Sequence, residues 1–388
     1  MTGRTRIYLD HNATSPLRPE AKEAMREALD PSIGNPASMH TEGRAARALV
    51  ERAREQVATL GGVSSKEIVF TSGGTEAIAA ALHGVCERAP DRLRRIVVST
   101  VEHSAVLASA KAAAVNGFEV VKVPCDGEGR VDAGAFIDQL RRGTLLACLQ
   151  WANNETGVIQ PVEEIGRACR QAGVPFLVDA VQAAGKVELE LWRVHADLAA
   201  LSAHKLGGPQ GVGALVVREG IVLSPLIHGG AQEKRRRAGT PSVAALAGFG
   251  AAAVVAHDGW KDESERLLRL RAKIETQLRN RYPQVRFHGQ AAPRLGNTVN
   301  FALPEASGEV LAIALDLAGF AVSTGSACAS GAVEPSHVIR AMGLDETEAR
   351  GAVRISLGWS TRTADVDRFL ELLPQVVQQV REGTTDPV

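Results

Sequence analysis

Ser202, His204 and Lys205 stand together directly after the apolar run Leu198 to Leu201. The run predicts a buried strand, and the glycines at Gly207-Gly208 predict a turn that lets the backbone approach a ligand. A lysine amine at such a strand end can form a Schiff base with an aldehyde cofactor, while the neighbouring side chains donate to its phosphate. The alternative is a surface lysine after a strand, so other segments must supply the rest of the site.

Two segments supply the charged contacts that such a cofactor needs. Ser72-Gly73-Gly74-Thr75-Glu76 follows an apolar run and opens a predicted helix, where free backbone N–H groups suit a phosphate. Asp179 directly follows the apolar run Phe176 to Val178, and burying an unpaired carboxylate costs several kcal/mol, roughly. A protonated pyridine nitrogen is a suitable partner that keeps the ring an electron sink. An ordinary strand-to-helix turn and a helix-capping aspartate are the alternatives.

Three further side chains follow or interrupt apolar runs. His103 can cover a flat ring and carry a proton, or lie in a capping loop. Asn154 belongs to the pair Asn153-Asn154, which can turn the chain or bind a ring oxygen or a carboxylate. Arg354 lies inside an apolar strand pattern and can grip a carboxylate with two hydrogen bonds, or it can face water from an edge strand.

Cys328 differs from the other cysteines in its surroundings. It lies in the run of small residues from Ser323 to Ala332, which predicts a loop with an accessible thiol. The other four cysteines lie in or beside strand and helix patterns and are interpreted as packing residues or inert surface residues. No pair has the spacing of metal ligands, so no metal site is expected.

Strand-like and helix-like runs alternate between about residues 67 and 217, which predicts an α/β domain with a mostly parallel sheet. Ligands of such sheets lie outside the carboxyl ends of the strands, where nearly all of these polar residues fall. The predicted strands are Ile68 to Phe70, Arg95 to Ser99, Glu119 to Val123, Leu145 to Trp151, Phe176 to Val178, Ala196 to Leu201 and Val212 to Val217. We assign this large domain to residues 15–260. A smaller α+β domain takes residues 1–14 and 261–388 and carries the cysteine loop at about 321–333.

Composition narrows the class of protein. The chain has 388 residues with equal numbers of basic and acidic side chains, which argues against nucleic-acid and anionic-membrane binding. The longest apolar run, Val243 to Ala256, is too short to span a bilayer and predicts a buried helix. With no secretory signal visible and an odd number of cysteines, we expect a cytoplasmic protein.

The ordered motifs resemble the cysteine desulfurases of the NifS/IscS type, group I, in the class V branch of fold type I pyridoxal-phosphate enzymes. The resemblance extends from the segment Tyr8 to Thr14 to the segment Arg354 to Gly358. Between them it includes Gly34 to Ser38, Phe70 to Glu76, Glu102-His103, Asn153 to Glu155, Val178 to Ala180, Ser202 to Lys205 and Arg237 to Thr240. It implies a fold type I transferase: a large domain with a mostly parallel seven-stranded sheet plus a smaller α+β domain.

The resemblance also implies a role for each site residue. Lys205 would hold pyridoxal phosphate and move the α-proton, with His103 stacked on the ring and assisting. Cys328 would accept sulfur from L-cysteine as a persulfide and release alanine. The other expected cofactor contacts are Asp179 on the ring nitrogen, Gln182 on the ring hydroxyl, Asn154 on the cofactor, and Gly74, Thr75, Ser202, His204 and the second subunit's Thr240 on the phosphate. Asn154, Arg354, His11 and Asn35 would bind the substrate.

The implied partners are L-cysteine, a second copy of the chain and a protein that accepts sulfur for iron–sulfur cluster, tRNA or thio-cofactor synthesis. The sequence leaves a selenocysteine lyase, a class V aminotransferase and an inactive scaffold protein as alternatives. The loop around Cys328 matches the longer loop of the first desulfurase group, which favours free cysteine as the substrate. The chain ends soon after its last predicted helix, where members that serve the general iron–sulfur scaffold extend further.

Overall fold

The computed structural model describes residues 6–30, 32–304, 306–324 and 335–383. Its strands are β1 (Ile7–Tyr8), β2 (Ile68–Thr71), β3 (Arg95–Ser99), β4 (Glu119–Val123), β5 (Thr144–Gln150), β6 (Phe176–Asp179), β7 (Leu198–Ser202), β8 (Gly213–Val217), β9 (Arg286–Phe287), β10 (Thr298–Ala302), β11 (Phe320–Ala321), β12 (Ser323–Thr324) and β13 (Ala352–Ser356). Its helices are α1 (Pro19–Glu27), α2 (Thr41–Gly61), α3 (Gly74–Cys86), α4 (Ser104–Val115), α5 (Ala133–Ile137), α6 (Val162–Ala172), α7 (Val243–Arg281), α8 (Gly308–Leu317), α9 (His337–Ala341), α10 (Glu346–Gly351) and α11 (Thr363–Gly383).

The largest sheet has seven strands in the order β2-β8-β7-β6-β5-β3-β4. The five strands from β7 to β4 are parallel, whereas β8 is antiparallel to both of its neighbours. Alternate side chains of β5 enter two different hydrophobic clusters, with Leu149 in one and Cys148 in the other, because successive residues of a strand point to opposite faces. The predicted α/β fold with a mostly parallel seven-stranded sheet is confirmed.

The parallel strands bring their carboxyl ends to one edge of this sheet. Ser99, Gln150, Asp179 and Ser202 are the last residues of β3, β5, β6 and β7. Helices α4 and α6 supply the crossovers from β3 to β4 and from β5 to β6, as parallel pairing requires. The loops after these strands therefore converge at the same edge.

A smaller antiparallel sheet has the order β12-β13-β10-β9, and β1 pairs in parallel with β11 nearby. Phe301 of β10, Ile355 of β13 and Phe369 of α11 share one hydrophobic cluster. The sequence pattern from Phe320 to Ser323 predicts one further strand, but this prediction is wrong, since β11 pairs with β1 while β12 pairs with β13. The first described residues thus join the smaller sheet region.

Helix α7 is continuous over 39 residues, or about 58 Å at 1.5 Å per residue. The apolar run Val243 to Ala256 and the charged pattern at about Asp262 to Arg281 predict two separate helices, and this division is wrong. The apolar half packs on α1 and α2, with Phe249 in a cluster of the large sheet, and the charged half places Ile274 in the cluster of the smaller sheets. The domain boundary at residue 260 stays a prediction, since α7 passes through it without a break.

Among the described residues, α7 is also the one helix long and apolar enough to cross a membrane. Its buried residues include Leu246, Phe249 and Ala253, which pack in the hydrophobic core of the large sheet. This packing is typical of a core helix.

Candidate active site

A cavity of about 260 Å³ opens at the carboxyl edge of the large sheet. Its lining comprises Gly74, Thr75, Ile78, His103, Gln150, Ala152, Asn154, Asp179, Val181, Gln182, Ser202, His204 and Lys205. Nine of these residues are cofactor contacts expected from the sequence, and they come from segments far apart in the chain. The structure therefore brings most of the predicted site together.

Lys205 follows β7 on a short 3₁₀ turn, which directs its amine toward the N-terminal segment. Its Nζ donates hydrogen bonds to the carbonyl oxygens of Asn12 and Ala13, at 2.6 and 2.8 Å. Burial, followed by the nearby Arg354 guanidinium, lowers the pKa of Lys205 to about 8, although Asp10 and Asp179 oppose this shift. A neutral, nucleophilic amine is thus accessible near neutral pH.

Asp179 ends β6 with only 7% of its surface exposed. Its Oδ1 accepts a hydrogen bond of 3.0 Å from the backbone N–H of Val181. Burial raises the pKa of this carboxyl, while His103, the Val181 N–H and Lys205 act against that shift. A cationic group in the cavity would therefore be held strongly by Asp179, which suits a protonated pyridine nitrogen.

His103 occupies the N-cap position of α4. Its Nδ1 accepts a hydrogen bond of 3.1 Å from the backbone N–H of Ala105, so the proton of the neutral ring is on Nε2. Burial lowers the pKa of His103, and the Asp179 carboxylate partly counteracts it. The ring is thus fixed in orientation and lines the cavity as a neutral imidazole.

The beginning of α3 forms a cradle for an anion. Its N-cap residue, Gly73, has a φ of 155° and provides no side-chain cap, which leaves the first N–H groups of the helix free. The Ser202 hydroxyl is buried beside it without a hydrogen-bond partner in the described part of the chain. A Cβ on Gly74 would lie 2.7 Å from Val181 Cγ2, so only glycine leaves this space open. An uncapped helix start and an orphaned hydroxyl together fit a phosphate group.

His204 lies next to this cradle, and its Nδ1 is 3.2 Å from the Thr14 hydroxyl. Burial and the neighbouring Lys205 lower the pKa of His204 to about 4, with Lys186 adding to the effect. A neutral imidazole here acts as a hydrogen-bond donor or acceptor rather than as a charge. A bound dianionic phosphate would favour the protonated ring.

Arg354 reaches the site from β13 of the smaller sheet, with 5% of its surface exposed. Its Nη2 forms an ion pair of 2.7 Å with Asp10 Oδ1, and its Nη1 donates to the carbonyl oxygen of Asn154 at 3.1 Å. The guanidinium therefore lies beside one cavity-lining residue and lowers the pKa of another, Lys205. This position suits a contact with the carboxylate of an amino acid.

The structure does not bring three expected residues to the cavity. His11 is 1% exposed, with Nδ1 2.9 Å from the Ser15 hydroxyl, and its ring packs so closely on Gly358 that a Cβ there would lie 2.0 Å from Nδ1. Asn35 is exposed and accepts a hydrogen bond from a nearby backbone N–H within its own turn. Thr240 is exposed as well. Within one chain, His11 and Asn35 thus have structural positions rather than contacts to a ligand in this cavity.

Cys328 lies outside the described residues. The four cysteines that the structure describes all have a thiol pKa raised mainly by burial, to about 11 for Cys86 and about 12 for Cys169. None of these four thus has the thiolate character of a nucleophile. The described residues that flank 325–334 are close to the site: Ser323 pairs with Arg354, and His337 Nε2 lies 3.0 Å from the Glu102 carbonyl oxygen.

Sequence reasoning assigned no chemistry to Glu102 and Glu155, both of which are buried behind the site. Glu102 accepts hydrogen bonds from the Ser99 hydroxyl at 2.6 Å and the Gln150 N–H at 3.1 Å, and burial raises its pKa to about 8. Glu155 accepts a hydrogen bond from Ser336, and burial raises its pKa also. The signal was available, because each carboxylate closely follows an apolar strand, as Asp179 does.

Comparison with known proteins agrees with this geometry. The model of the family "Aminotransferase class-V" matches residues 7–369. A cysteine desulfurase of Cereibacter sphaeroides is 46% identical over 378 residues, which are 97% of each chain. The cysteine desulfurase IscS of Dictyoglomus turgidum is 40% identical and is matched over 97% of this chain and 95% of its own length. A solved NifS-like protein is 36% identical with a TM-score of 0.90, covering 97% of this chain and all of that one.

The chain therefore belongs to the aminotransferase class-V family, whose fold type I architecture it shares. Within that family it is a pyridoxal-phosphate-dependent enzyme with cysteine desulfurase activity. Its relatives do not favour a selenocysteine lyase or an aminotransferase. The family implies L-cysteine as the substrate and proteins that accept the sulfur.

Proposed function

We propose that the cavity at the carboxyl edge of the large sheet holds pyridoxal phosphate and L-cysteine, with Lys205 as the covalent attachment. Asp179 would hold the ring nitrogen, and His103 would cover the ring. The phosphate would occupy the cradle of Gly74, Thr75 and Ser202. One observation carries this proposal. A lysine with a lowered pKa (Lys205), a buried carboxylate (Asp179) and a hydroxyl without a partner in the described part of the chain (Ser202) line one cavity of about 260 Å³.

The bound cofactor supplies an electron sink that stabilises negative charge on the substrate α-carbon. The protein then has to orient the substrate and move protons. Arg354 and Asn154 would bind the carboxylate, with the Asp10 ion pair exchanged for the substrate. The Lys205 amine, once released, would carry the proton of the α-carbon, for which a pKa of about 8 is well matched.

We further propose that Cys328 accepts the sulfur. The Cys328 thiolate attacks the substrate sulfur, a new S–S bond forms and the carbon–sulfur bond breaks. The carbon gains a proton to become the methyl group of alanine, so that cysteine and one thiol give alanine and one persulfide. Two points support this role: the four described cysteines have raised pKa values, and Thr324, four residues before Cys328, is paired with the strand that holds Arg354. Four fully extended residues span at most about 14 Å, which limits how far Cys328 can lie from Thr324.

The remaining expectations concern partners and location. We propose a cytoplasmic homodimer in which Thr240 of one subunit completes the phosphate cradle of the other, which would explain a cradle residue exposed in the single chain. The persulfide would pass to a protein that builds iron–sulfur clusters or thiolates tRNA. The relatives with the name IscS support the first acceptor.

Trapping the cofactor link tests the attachment site. Borohydride reduction of the purified protein followed by peptide mass spectrometry should find the cofactor mass on Lys205. Lys205→Ala should carry no such mass and should lose alanine formation. A reduced adduct on any other lysine would refute the assignment.

A matched pair of cysteine variants tests the sulfur step. After one turnover with L-cysteine, Cys328→Ser should carry no persulfide and should release no sulfur. Cys125→Ser should keep both the persulfide and the sulfur release. It alters a half-buried thiol that donates a hydrogen bond to the Ala341 carbonyl oxygen. Full persulfide yield in Cys328→Ser would show that another thiol accepts the sulfur.

Mixed dimers test the contribution of Thr240. Lys205→Ala and Thr240→Ala should each be impaired when alone. A heterodimer of the two contains one intact site, because its functional Lys205 and Thr240 come from different chains. It should regain about half of the activity of the unaltered dimer if sites are shared across subunits. No recovery in a verified heterodimer would mean that Thr240 belongs to the phosphate cradle of its own chain or to no cradle at all.

A further inference from the structure

A second half-buried lysine, Lys186, stands next to the cavity but does not line it. Its Nζ donates a hydrogen bond of 2.9 Å to the Gln182 backbone carbonyl and another of 3.2 Å to the side-chain oxygen, Gln182 Oε1. Gln182 itself is 5% exposed and lines the cavity. Lys186 therefore touches the site through one glutamine.

The contacts of Gln182 fix which end of its amide faces which way. An ammonium group can only donate, so Oε1 must face Lys186. The carbonyl oxygen of Asn12 can only accept, and Gln182 Nε2 donates to it at 3.0 Å. A flipped amide would place a donor against the ammonium and an acceptor against the carbonyl, so these two neighbours exclude it.

This orientation has a consequence for the cavity. The carbonyl oxygen of Asn12 also accepts a hydrogen bond of 2.6 Å from Lys205 Nζ, which places the Gln182 amide nitrogen beside the lysine that would hold the cofactor. One N–H of Gln182 Nε2 is used by Asn12, and the second has no partner among the described residues, so it can donate to a ligand. We propose that Lys186 is a positioning residue that fixes the Gln182 amide so that its free N–H, rather than its oxygen, meets the ring oxygen of pyridoxal phosphate.

The backbone around Lys186 is held firmly enough for this role. The Ser264 hydroxyl of α7 donates a hydrogen bond of 2.6 Å to the carbonyl oxygen of Lys186. The preceding residue, Gly185, has a φ of 71°, and a Cβ there would lie 3.0 Å from the Ala256 Cβ. A left-handed glycine packed against a helix and a bonded carbonyl oxygen together fix the position of the Lys186 backbone.

The charge of Lys186 is finely balanced. Burial, followed by Lys205, lowers the pKa of Lys186 to about 7, and Glu263 acts in the opposite direction. Glu263 is shared with Arg18 through an ion pair of 2.8 Å. His11 and His204 also face Lys186, but the pKa of each is lowered, to about 3 and about 4, so neither adds positive charge near neutral pH.

The inference rests on the proposed placement of the cofactor and is tested on the holoenzyme by its visible absorbance. An N–H that donates to the ring oxygen withdraws electron density and makes the bound cofactor easier to deprotonate. Lys186→Met should therefore raise the pKa of the bound cofactor by about one unit, because the hydrogen bond from Gln182 to the charged ring oxygen is lost. Lys186→Arg, which can still donate to Gln182, should return the pKa most of the way.

A double-mutant cycle separates positioning from simple charge removal, since loss of the Lys186 charge alone also raises that pKa. If Lys186 acts through Gln182, Lys186→Met should shift the pKa little in a Gln182→Ala background. An equal shift in both backgrounds, or no shift in the unaltered background, would overturn the proposal. Lys22→Met on the exposed face of α1 serves as the control for removing a lysine charge.

Two further measurements distinguish the positioning role from a damaged fold and from a missing cofactor. Thermal unfolding of Lys186→Met should remain cooperative, which shows that a changed absorbance does not come from a damaged fold. If the unaltered protein binds no cofactor at Lys205 at all, the proposed function fails first, and the visible band is then missing from every variant. A normal band that is insensitive to Lys186 refutes the positioning role alone.

Discussion

The reactivity of Lys205 toward pyridoxal phosphate should depend on pH with a midpoint near 8. Only the neutral amine attacks an aldehyde, and burial together with Arg354 lowers the pKa of Lys205 to about 8. At pH 7 about 9% of such amines are neutral, against about 0.03% for an ordinary lysine with a pKa of 10.5, which is a difference of about 300-fold. The rate of covalent capture should rise about fivefold from pH 7 to pH 8 and level off above pH 9.

The assay follows the visible absorbance after the protein freed of cofactor is mixed with excess pyridoxal phosphate. Lys205→Ala supplies the blank. Lys186→Met supplies a second control, because Lys186 has a pKa of about 7 and its titration overlaps the same range. A capture rate that keeps rising tenfold per pH unit beyond pH 9 would mean that Lys205 has the pKa of a solvated lysine, and the reasoning from burial would be refuted.

Three other changes test separate parts of the site. Gly74→Ala places a Cβ 2.7 Å from Val181 Cγ2 in the phosphate cradle, and it should weaken cofactor affinity about tenfold in equilibrium dialysis; unchanged affinity would contradict the cradle. Arg354→Lys removes a planar two-pronged contact and should raise the KM for cysteine about tenfold with a smaller change in kcat; the reverse pattern would argue against carboxylate binding. Glu102 has a pKa raised to about 8, so the native state holds its proton while the unfolded state loses it from about pH 4.5 upward. The free energy of unfolding of the unaltered protein should therefore fall relative to Glu102→Gln as pH rises from about 4.5 to 8, and parallel pH curves from chemical denaturation would show that Glu102 is not buried as an acid.

The sequence predicts the large sheet well because its strands are short apolar runs bounded by polar residues. The predicted bounds of β3 and β4 match the structure, and the other strands of that sheet differ by one or two residues at one or both ends. Helices α1 and α2 were not predicted, since they lie before the alternating pattern begins and much of their surface is polar and exposed. The sequence also predicts two helices within α7, because the loss of an apolar face resembles the end of a helix.

The site was predictable wherever a polar residue directly follows a buried strand. Asp179 and Ser202 meet this condition, Lys205 comes three residues after Ser202, and all three line one cavity. The position of His11 was not predictable, because its burial against Gly358 depends on packing between segments more than three hundred residues apart. The orientation of the Gln182 amide was not predictable either, since it depends on the carbonyl oxygen of Asn12, which is 170 residues away in the chain.

The continuous course of α7 has a mechanical consequence. Its side chains belong to the hydrophobic clusters of both sheet regions, so neither region can loosen without disrupting a helix that the other also needs. Lys205 is carried by one region and Arg354 by the other, so the shared helix links the two halves of the candidate site. Heat or denaturant should therefore abolish both halves of the candidate site in a single cooperative step.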